Sequence, residues 1–295
     1  MTERELFARV GIRPEPPAQP KRKTVRRDIP WASFVILGAI LLCCLCAELL
    51  MTKDPTYLDL ANCNVPPNRE FLFGTDSLGR DIFSGIWYGG RISIAIGFLA
   101  TLLSTVTAVI YGAVSGFGPQ WLDTLMMRFT EIALSVPSLL IVLFIQAILG
   151  TANVLSLSFV IGITSWASIA KVIRTEVRQI RSCEYVLASR CMGGRFGHIL
   201  VRHLTPNFVA SIMFMVVMNI RTAIVTESTL SFMGMGLPLE IISWGSMLSL
   251  AEKALMTRSW WVILIPGAFL AALLVSVTNI GNFLRKAVSP RESTL

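Results

Sequence analysis

The stretch Ile92–Phe117 reads ISIAIGFLATLLSTVTAVIYGAVSGF and carries no charged residue. A helix needs about 20 consecutive, mostly apolar residues to cross a bilayer, so this stretch predicts a membrane-spanning helix. Similar blocks recur along the chain, and they lie at Trp31–Met51, Ile132–Leu149, Val154–Ile173, Phe208–Phe232 and Trp260–Phe283. The sequence therefore predicts an all-α, multi-pass membrane protein with six transmembrane helices.

The composition of the 295 residues agrees with this and excludes an ordinary soluble domain. Hydrophobic residues make up 54% of the chain and charged residues 15%, whereas soluble domains carry about 25% charged residues. Residues 1–30 are polar, basic and rich in proline, and the first apolar block has the length of a full span. We therefore expect this first apolar block to be a transmembrane helix rather than the apolar part of a cleaved signal peptide.

Basic residues are unevenly distributed, and their positions predict the topology. Eight of them precede Trp31, seven lie between Lys171 and Arg202, and three follow the last apolar block. Segments rich in Lys and Arg remain in the cytoplasm, which places both termini and the loop at 174–206 inside the cell. The predicted organisation is a cytoplasmic basic tail at 1–30, a first transmembrane helix at 31–51, an extracytoplasmic loop at 52–91, and a core with five transmembrane helices at 92–290. The net charge of +8 is thus a topology signal, and no nucleic-acid partner is expected.

Residues suited to catalysis or metal binding are scarce in the predicted spans. Both histidines, His198 and His203, fall in the 174–206 loop, and the six cysteines match neither a disulfide framework nor a zinc site. The tripeptide Gly193-Gly194-Arg195 lacks the lysine and the spacing of a phosphate-binding loop. We therefore predict no catalytic residue, no metal site and no cofactor in this chain, so energy for active transport would come from another protein.

The 174–206 loop contains the segment RSCEYVLASRCMGGR at Arg181–Arg195, which predicts a short helix. Glu184 lies in its first turn, where the helix dipole favours an anion, and Gly193-Gly194 supply a stop. Helical spacing places four residues on one apolar face whose central residues are small, and the four are Tyr185, Ala188, Ser189 and Met192. This face suits the groove of a partner protein, although the pattern alone fits a plain surface helix equally well.

Two charged residues, Arg221 and Glu227, lie inside the fifth predicted span. A charge at the bilayer centre costs at least about 2.5–3.5 kcal/mol, so such residues face a bundle interior or a watery cavity. Residues six positions apart do not share a helical stripe, which argues against a direct pair. We interpret both as candidates for a translocation pathway, in which Arg221 would attract a carboxylate or another anion. The alternative is an interhelical ion pair, either with a partner chain or with Glu48 or Glu131.

Four stretches carry a resemblance to a known family. The segment EYVLASRCMG at Glu184–Gly193, followed by Pro206-Asn207, resembles the EAA loop of ABC importer permeases, with Leu187 and Ser189 replacing its usual second glutamate and second alanine. Three further stretches resemble the peptide/nickel permease family, in its second-subunit branch, and they are FGTDSLGRD at Phe73–Asp81, ESTLSFMGMG at Glu227–Gly236 and WGSML at Trp244–Leu248.

The resemblance implies a type I importer architecture, similar to that of methionine permeases, in the cell membrane. It implies a homologous second permease, two cytoplasmic ATPase subunits that bind ATP and magnesium, and an extracytoplasmic solute-binding protein, all within or against the lipid bilayer. The residues it implies as ATPase-coupling contacts are Glu184, Tyr185, Ala188, Ser189, Met192 and Gly193. The implied cargo is a short peptide, with nickel or a metal chelate as the alternative. An ion-coupled secondary transporter lies outside this class and has no support in the sequence.

Overall fold

The computed structural model describes residues 29–150, 152–181, 186, 189, 191–192 and 205–288. In these residues the chain is helical, with one isolated β-bridge between Thr75 and Asp81 and no strand. The helices are α1 (Trp31–Leu45), α2 (Ala47–Leu50), α3 (Ile82–Phe117), α4 (Gln120–Ser135), α5 (Ser138–Leu149), α6 (Val154–Thr164), α7 (Trp166–Arg181), α8 (Thr205–Phe232), α9 (Trp244–Leu248), α10 (Ala251–Met256) and α11 (Trp261–Val288), and a short 3₁₀ turn lies at Leu60–Asn62.

Three helices in the described part of the chain are long and apolar enough to cross a membrane. They are α3, the Ile212–Phe232 part of α8 and the Trp261–Lys286 part of α11. The pair α4–α5 and the pair α6–α7 raise the number to as many as five if each pair is one bent span, and α1 is a shorter apolar helix. Each of the six predicted blocks overlaps one of these helices or pairs. The fold is therefore that of a polytopic helical membrane protein.

The second predicted span begins earlier than the apolar pattern indicates. The helix α3 starts at Ile82 rather than at Ile92, so residues 82–91 of the predicted outer loop are helical. Asp81 supplies the start signal, because its carboxylate accepts a hydrogen bond from the Ser84 backbone N–H at 3.0 Å and satisfies a first-turn donor. The predicted cytoplasmic loop at 174–206 is also shorter than expected, because α7 continues to Arg181 and α8 begins at Thr205.

The third predicted span, Ile132–Leu149, is broken rather than continuous. The axes of α4 and α5 differ by 87°, and the break falls at Val136 and Pro137. Proline has no backbone N–H and disfavours helical geometry in the residue before it. Val136 accordingly has extended angles, with φ −94° and ψ 132°. The break therefore lies where the chemistry of proline disfavours a continuous helix, and it separates α4 from α5.

The helix α3 is the centre of the bundle, with α6, α7 and α8 packed against it. Its contact with α7 uses two glycines that are four residues apart. A Cβ on Gly112 would lie 2.7 Å from the Ala170 carbonyl oxygen, and one on Gly116 would lie 2.8 Å from the Arg174 carbonyl oxygen. Such a pair of small residues lets two helix backbones approach closely in a membrane.

The segment between α8 and α11 folds over the N-terminal end of α3. The fully buried Trp244 donates its indole N–H to the Ile86 carbonyl oxygen at 2.8 Å. The buried Arg80 pairs with Asp76 at 2.8 Å and also donates to the Leu239 carbonyl oxygen at 3.0 Å. The stretches Phe73–Asp81 and Trp244–Leu248, which carry part of the family resemblance, are therefore neighbours that together close this end of the bundle.

Candidate functional site

A polar cluster lies where α3 ends and α4 begins, and Asp123 of α4 is its centre. The Asp123 side chain is 5% exposed and accepts a hydrogen bond from the Ser115 hydroxyl at 2.7 Å. Arg174 of α7 donates to both carboxylate oxygens, from Nε at 2.8 Å and from Nη2 at 2.5 Å. Arg178, one turn later, lies 3.3 Å away. The cluster thus joins α3, α4 and α7 through one carboxylate.

Arg181, the last residue of α7, adds a second link to the same end of the bundle. Its guanidinium donates to the carbonyl oxygens of Phe117 and Gly118, each at 3.2 Å. These carbonyls belong to the C-terminal end of α3, where the helix dipole favours a cation. Arg181 therefore fixes the end of α7 to the end of α3.

The predicted coupling residues are only partly within the described chain. Glu184, Tyr185, Ala188 and Gly193 lie outside the described residues. Ser189 is buried at 7% exposure, whereas Met192 is 82% exposed. The two residues therefore do not share one exposed surface, and in this conformation a partner would reach Met192 without reaching Ser189.

Glu227 is fully buried and is surrounded by serine hydroxyls. Its carboxylate accepts hydrogen bonds from four serines on three parts of the chain, namely Ser243 at 2.7 Å, Ser231 at 3.0 Å, and Ser93 and Ser228 at 3.3 Å each. Among the described residues it has no ion pair. The carboxylate therefore holds α8 against α3 and the segment before α9.

Backbone groups reinforce the serine network around Glu227. The Ser93 hydroxyl oxygen accepts from the Trp244 N–H at 3.1 Å, and the Ser243 hydroxyl oxygen accepts from the Ser246 N–H at 3.0 Å. Each of these hydroxyls accepts from the backbone and donates to the carboxylate, so the network is closed. The acidic residue stands out in the sequence, but its serine partners do not, since only Ser228 and Ser231 are near it in the chain.

Arg221 differs from Glu227 because its side chain is exposed. Across residues 29–150, 152–181 and 205–288, it has neither an ion pair nor a hydrogen-bond partner. The two intrachain partners considered for it are already engaged, since Glu48 pairs with Arg91 at 3.1 Å and Glu131 pairs with Arg128 at 3.0 Å. The predicted ion pairs of Arg221 with Glu48 and with Glu131 are therefore not formed among the described residues, and an ion pair with a partner chain stays as the alternative.

The described residues contain no group of three or more His, Cys, Asp or Glu side chains placed to hold a metal ion. Their polar clusters at the two ends of α3 consist of ion pairs and hydroxyl networks that join helices. Long apolar helices fixed to one another in this way define a multi-pass membrane protein.

The chain belongs to the family of binding-protein-dependent transport system inner membrane components, whose model matches residues 108–294. It is 36% identical over 258 residues to the oligopeptide transport system permease protein OppC of Bacillus subtilis, which covers 88% of this chain and 84% of that protein. It is 31% identical over 270 residues to the dipeptide transport system permease protein DppC of the same organism, covering 92% and 84%. A DppC of Alkalihalophilus pseudofirmus is 29% identical over 292 residues, covering 94% and 95%. The resemblance stated from the sequence is confirmed, and the chain is a multi-pass cell-membrane protein.

Proposed function

We propose that this chain is one of the two permease subunits of an ATP-driven, binding-protein-dependent ABC importer of short peptides. The single observation that carries the proposal is its 36% identity, over 88% of the chain, to a permease named for oligopeptide transport. Nickel or a metal chelate is the less favoured cargo, because these relatives are named for oligopeptides and dipeptides.

The proposed assembly contains this chain, a homologous second permease, two cytoplasmic ATPase subunits and an extracytoplasmic solute-binding protein. The ATPase subunits bind ATP and magnesium. This chain crosses the membrane six times with both termini in the cytoplasm, if α1–α2, α4–α5 and α6–α7 each make one crossing. The basic tail and the basic loop support this orientation, since Lys- and Arg-rich segments stay in the cytoplasm.

The proposed coupling path starts in the loop that follows α7. A short helix there docks in a cleft of an ATPase subunit, with Glu184, Tyr185, Ala188, Met192 and Gly193 as its contact residues. Ser189, which is buried, supports this helix from within the chain. Movement of that helix is passed to α7 and, through the Arg174–Asp123 ion pair, to α4. The break at Pro137 supports such a movement, because it allows α4 to shift without α5. Alternating access then follows from two states whose balance is set by ATP and by the loaded binding protein.

Reconstitution of the complex in proteoliposomes tests the proposal. The wild-type complex is expected to hydrolyse ATP faster when its binding protein carries a short peptide, and this chain purified alone is expected to hydrolyse none. The substitution Gly193→Asp, which removes the predicted helix stop and adds a charge to the docking surface, is expected to abolish uptake while the chain still inserts. The exposed Glu131→Gln serves as the control with normal uptake.

Two results would contradict the proposal. Stimulation of ATP hydrolysis by nickel or a metal chelate, and not by peptides, would change the cargo. Normal uptake by the Gly193→Asp complex would remove the loop from the coupling path.

A further inference from the structure

One face of α8 is left uncovered by the described part of the chain. Arg221, Thr222 and Val225 are exposed along this face, and Thr229 is partly exposed. The opposite face, which includes the buried Glu227, packs against α3 and the segment before α9. The uncovered face is continuous, because positions 221, 222, 225 and 229 follow the spacing of one helical stripe.

The exposed charge lies near the middle of the membrane-crossing part of α8. Arg221 is nine residues from Ile212 and eleven from Phe232, the ends of the candidate span, which is roughly 13–17 Å from each end at 1.5 Å per residue. A charge at that depth is unfavourable against lipid and is found facing a cavity or a polar partner. The surface that faces Arg221 in the assembled transporter is therefore polar or wet.

The threonines on and beside this face are all in the same hydrogen-bonding state. Each hydroxyl donates to the carbonyl four residues earlier, Thr222 to Met218 at 3.0 Å, Thr226 to Thr222 at 2.9 Å and Thr229 to Val225 at 2.8 Å. A hydroxyl has one hydrogen to donate and two lone pairs that accept. With the hydrogen engaged inside the helix, each oxygen presents acceptor capacity to whatever lies beside it.

We propose that this face of α8 is a binding track for the main chain of the transported peptide. Arg221 binds the peptide carboxylate, and the oxygens of Thr222, Thr226 and Thr229 accept hydrogen bonds from peptide N–H groups and from the terminal ammonium. The inference rests on the proposed function, since it requires that the cargo is a peptide. It adds a site and a way of recognising peptides that does not depend on their side chains.

The dimensions of the track suit a short peptide in extended conformation. Arg221 and Thr229 are eight residues apart, which is about 12 Å along the helix. An extended chain advances roughly 3.3 Å per residue, so a peptide of three or four residues spans that distance. The guanidinium is the one group of the track with fixed positive charge and paired donors, which matches a carboxylate.

The test measures import of a labelled tripeptide with a free carboxylate and of the same tripeptide as its C-terminal amide. The assembled transporter in proteoliposomes is used with its loaded binding protein. Arg221→Gln is expected to slow import of the free-carboxylate tripeptide by about tenfold or more, because a hydrogen bond to a charged group is lost, and to change import of the amide less than about twofold. Arg221→Lys is expected to retain part of the activity, and Arg128→Gln is the matched control at an exposed arginine.

Equal loss with both peptides, or loss of assembly in Arg221→Gln, would overturn the proposal and assign Arg221 to a carboxylate of the second permease. A wild-type complex that imports neither peptide would refute the proposed function itself, so the two failures are distinguishable. A second measurement tests the proposal even if the transporter does not import the amide. Arg221→Cys, made in a variant without the native cysteines, is expected to react with a charged methanethiosulfonate from water and to be protected by saturating peptide. Absence of reaction, or reaction without protection, would also overturn the proposal.

Discussion

Substitution of Asp123 by asparagine is the sharpest test of the cluster that joins α3, α4 and α7. Asparagine has nearly the same shape as aspartate, but it removes the negative charge and replaces one acceptor oxygen with a donor. The carboxylate now accepts two hydrogen bonds from Arg174 and one from Ser115, with Arg178 at 3.3 Å. The substitution therefore leaves the Arg174 guanidinium with an incomplete set of acceptors.

The size of the effect follows from how far the pair is removed from water. Breaking a fully buried pair costs about 3–5 kcal/mol, while an exposed pair is worth about 0–1 kcal/mol. Asp123 is 5% exposed and Arg174 24%, so the guanidinium regains some hydration when its partner is neutralised. We expect Asp123→Asn to lower the free energy of unfolding by about 2–3 kcal/mol. Arg178 contributes little to this value, because it is 44% exposed and solvent screens it.

The same helix provides the control. Glu131 forms an ion pair with Arg128 at 3.0 Å, but the two side chains are 49% and 75% exposed. Glu131→Gln is expected to change the free energy of unfolding by no more than about 0.5 kcal/mol. Both variants are measured in the assembled complex by denaturant titration in mixed micelles, and the amount of peptide imported per ATP hydrolysed is measured in proteoliposomes. We expect Asp123→Asn, and not Glu131→Gln, to lower this ratio as well.

Equal stability of the two variants would refute the argument that burial makes the Asp123 pair important. A large loss of stability with an unchanged ratio of import to hydrolysis would restrict Asp123 to a structural role and remove it from the proposed coupling path.

Two further predictions concern the packing of α3 and the serine network. Gly112→Ala is expected to destabilise the chain by about 1–3 kcal/mol through overpacking, because its Cβ would lie 2.7 Å from a backbone oxygen of α7. Gly38→Ala is the control and is expected to be tolerated, because a Cβ there would have nothing within 4 Å. Equal stability of the two variants in a denaturant titration would contradict the close contact at Gly112. Each carboxylate oxygen of Glu227 accepts from two serine hydroxyls, so Glu227→Gln leaves two hydroxyls without their acceptor and is expected to loosen the segment after α8. Trypsin should then cut more rapidly after the exposed Arg258, while the exposed Glu240→Gln should behave like wild type. Unchanged cleavage in Glu227→Gln would show that the network does not hold this segment.

Much of the helical framework was predictable because hydrophobic length is a local property. The six apolar blocks fall on helices, and the break at Pro137 follows from the chemistry of proline. The start of α3 was not predictable in the same way, since residues 82–91 contain Gly89 and Gly90, which lower helix propensity. In the fold these glycines allow close contact, and a Cβ on Gly90 would lie 2.7 Å from the Trp244 ring. Packing therefore outweighs local propensity there.

The polar sites were likewise predictable only in part. The sequence identifies Arg221 and Glu227 as unusual, because a charge inside an apolar block is visible without any structure. It assigns both residues the same candidate role, and the fold separates them by burying Glu227 among serines and leaving Arg221 exposed. The helix α8 has one covered face and one uncovered face. A spacing of six residues turns the two side chains well away from each other around the helix axis, so Glu227 lies on the covered face and Arg221 on the uncovered one.

Composition, length and short motifs are enough to show that this is a helical membrane protein, which family it resembles and where charged residues interrupt the apolar blocks. Which polar groups meet depends on the packing of the helices. Asp123 and Arg174 are separated by 51 residues, and Glu227 and Ser93 by 134. No local pattern connects such positions. They become neighbours because α4, α7 and α8 all pack near α3, which carries Ser93 toward one end and Ser115 toward the other.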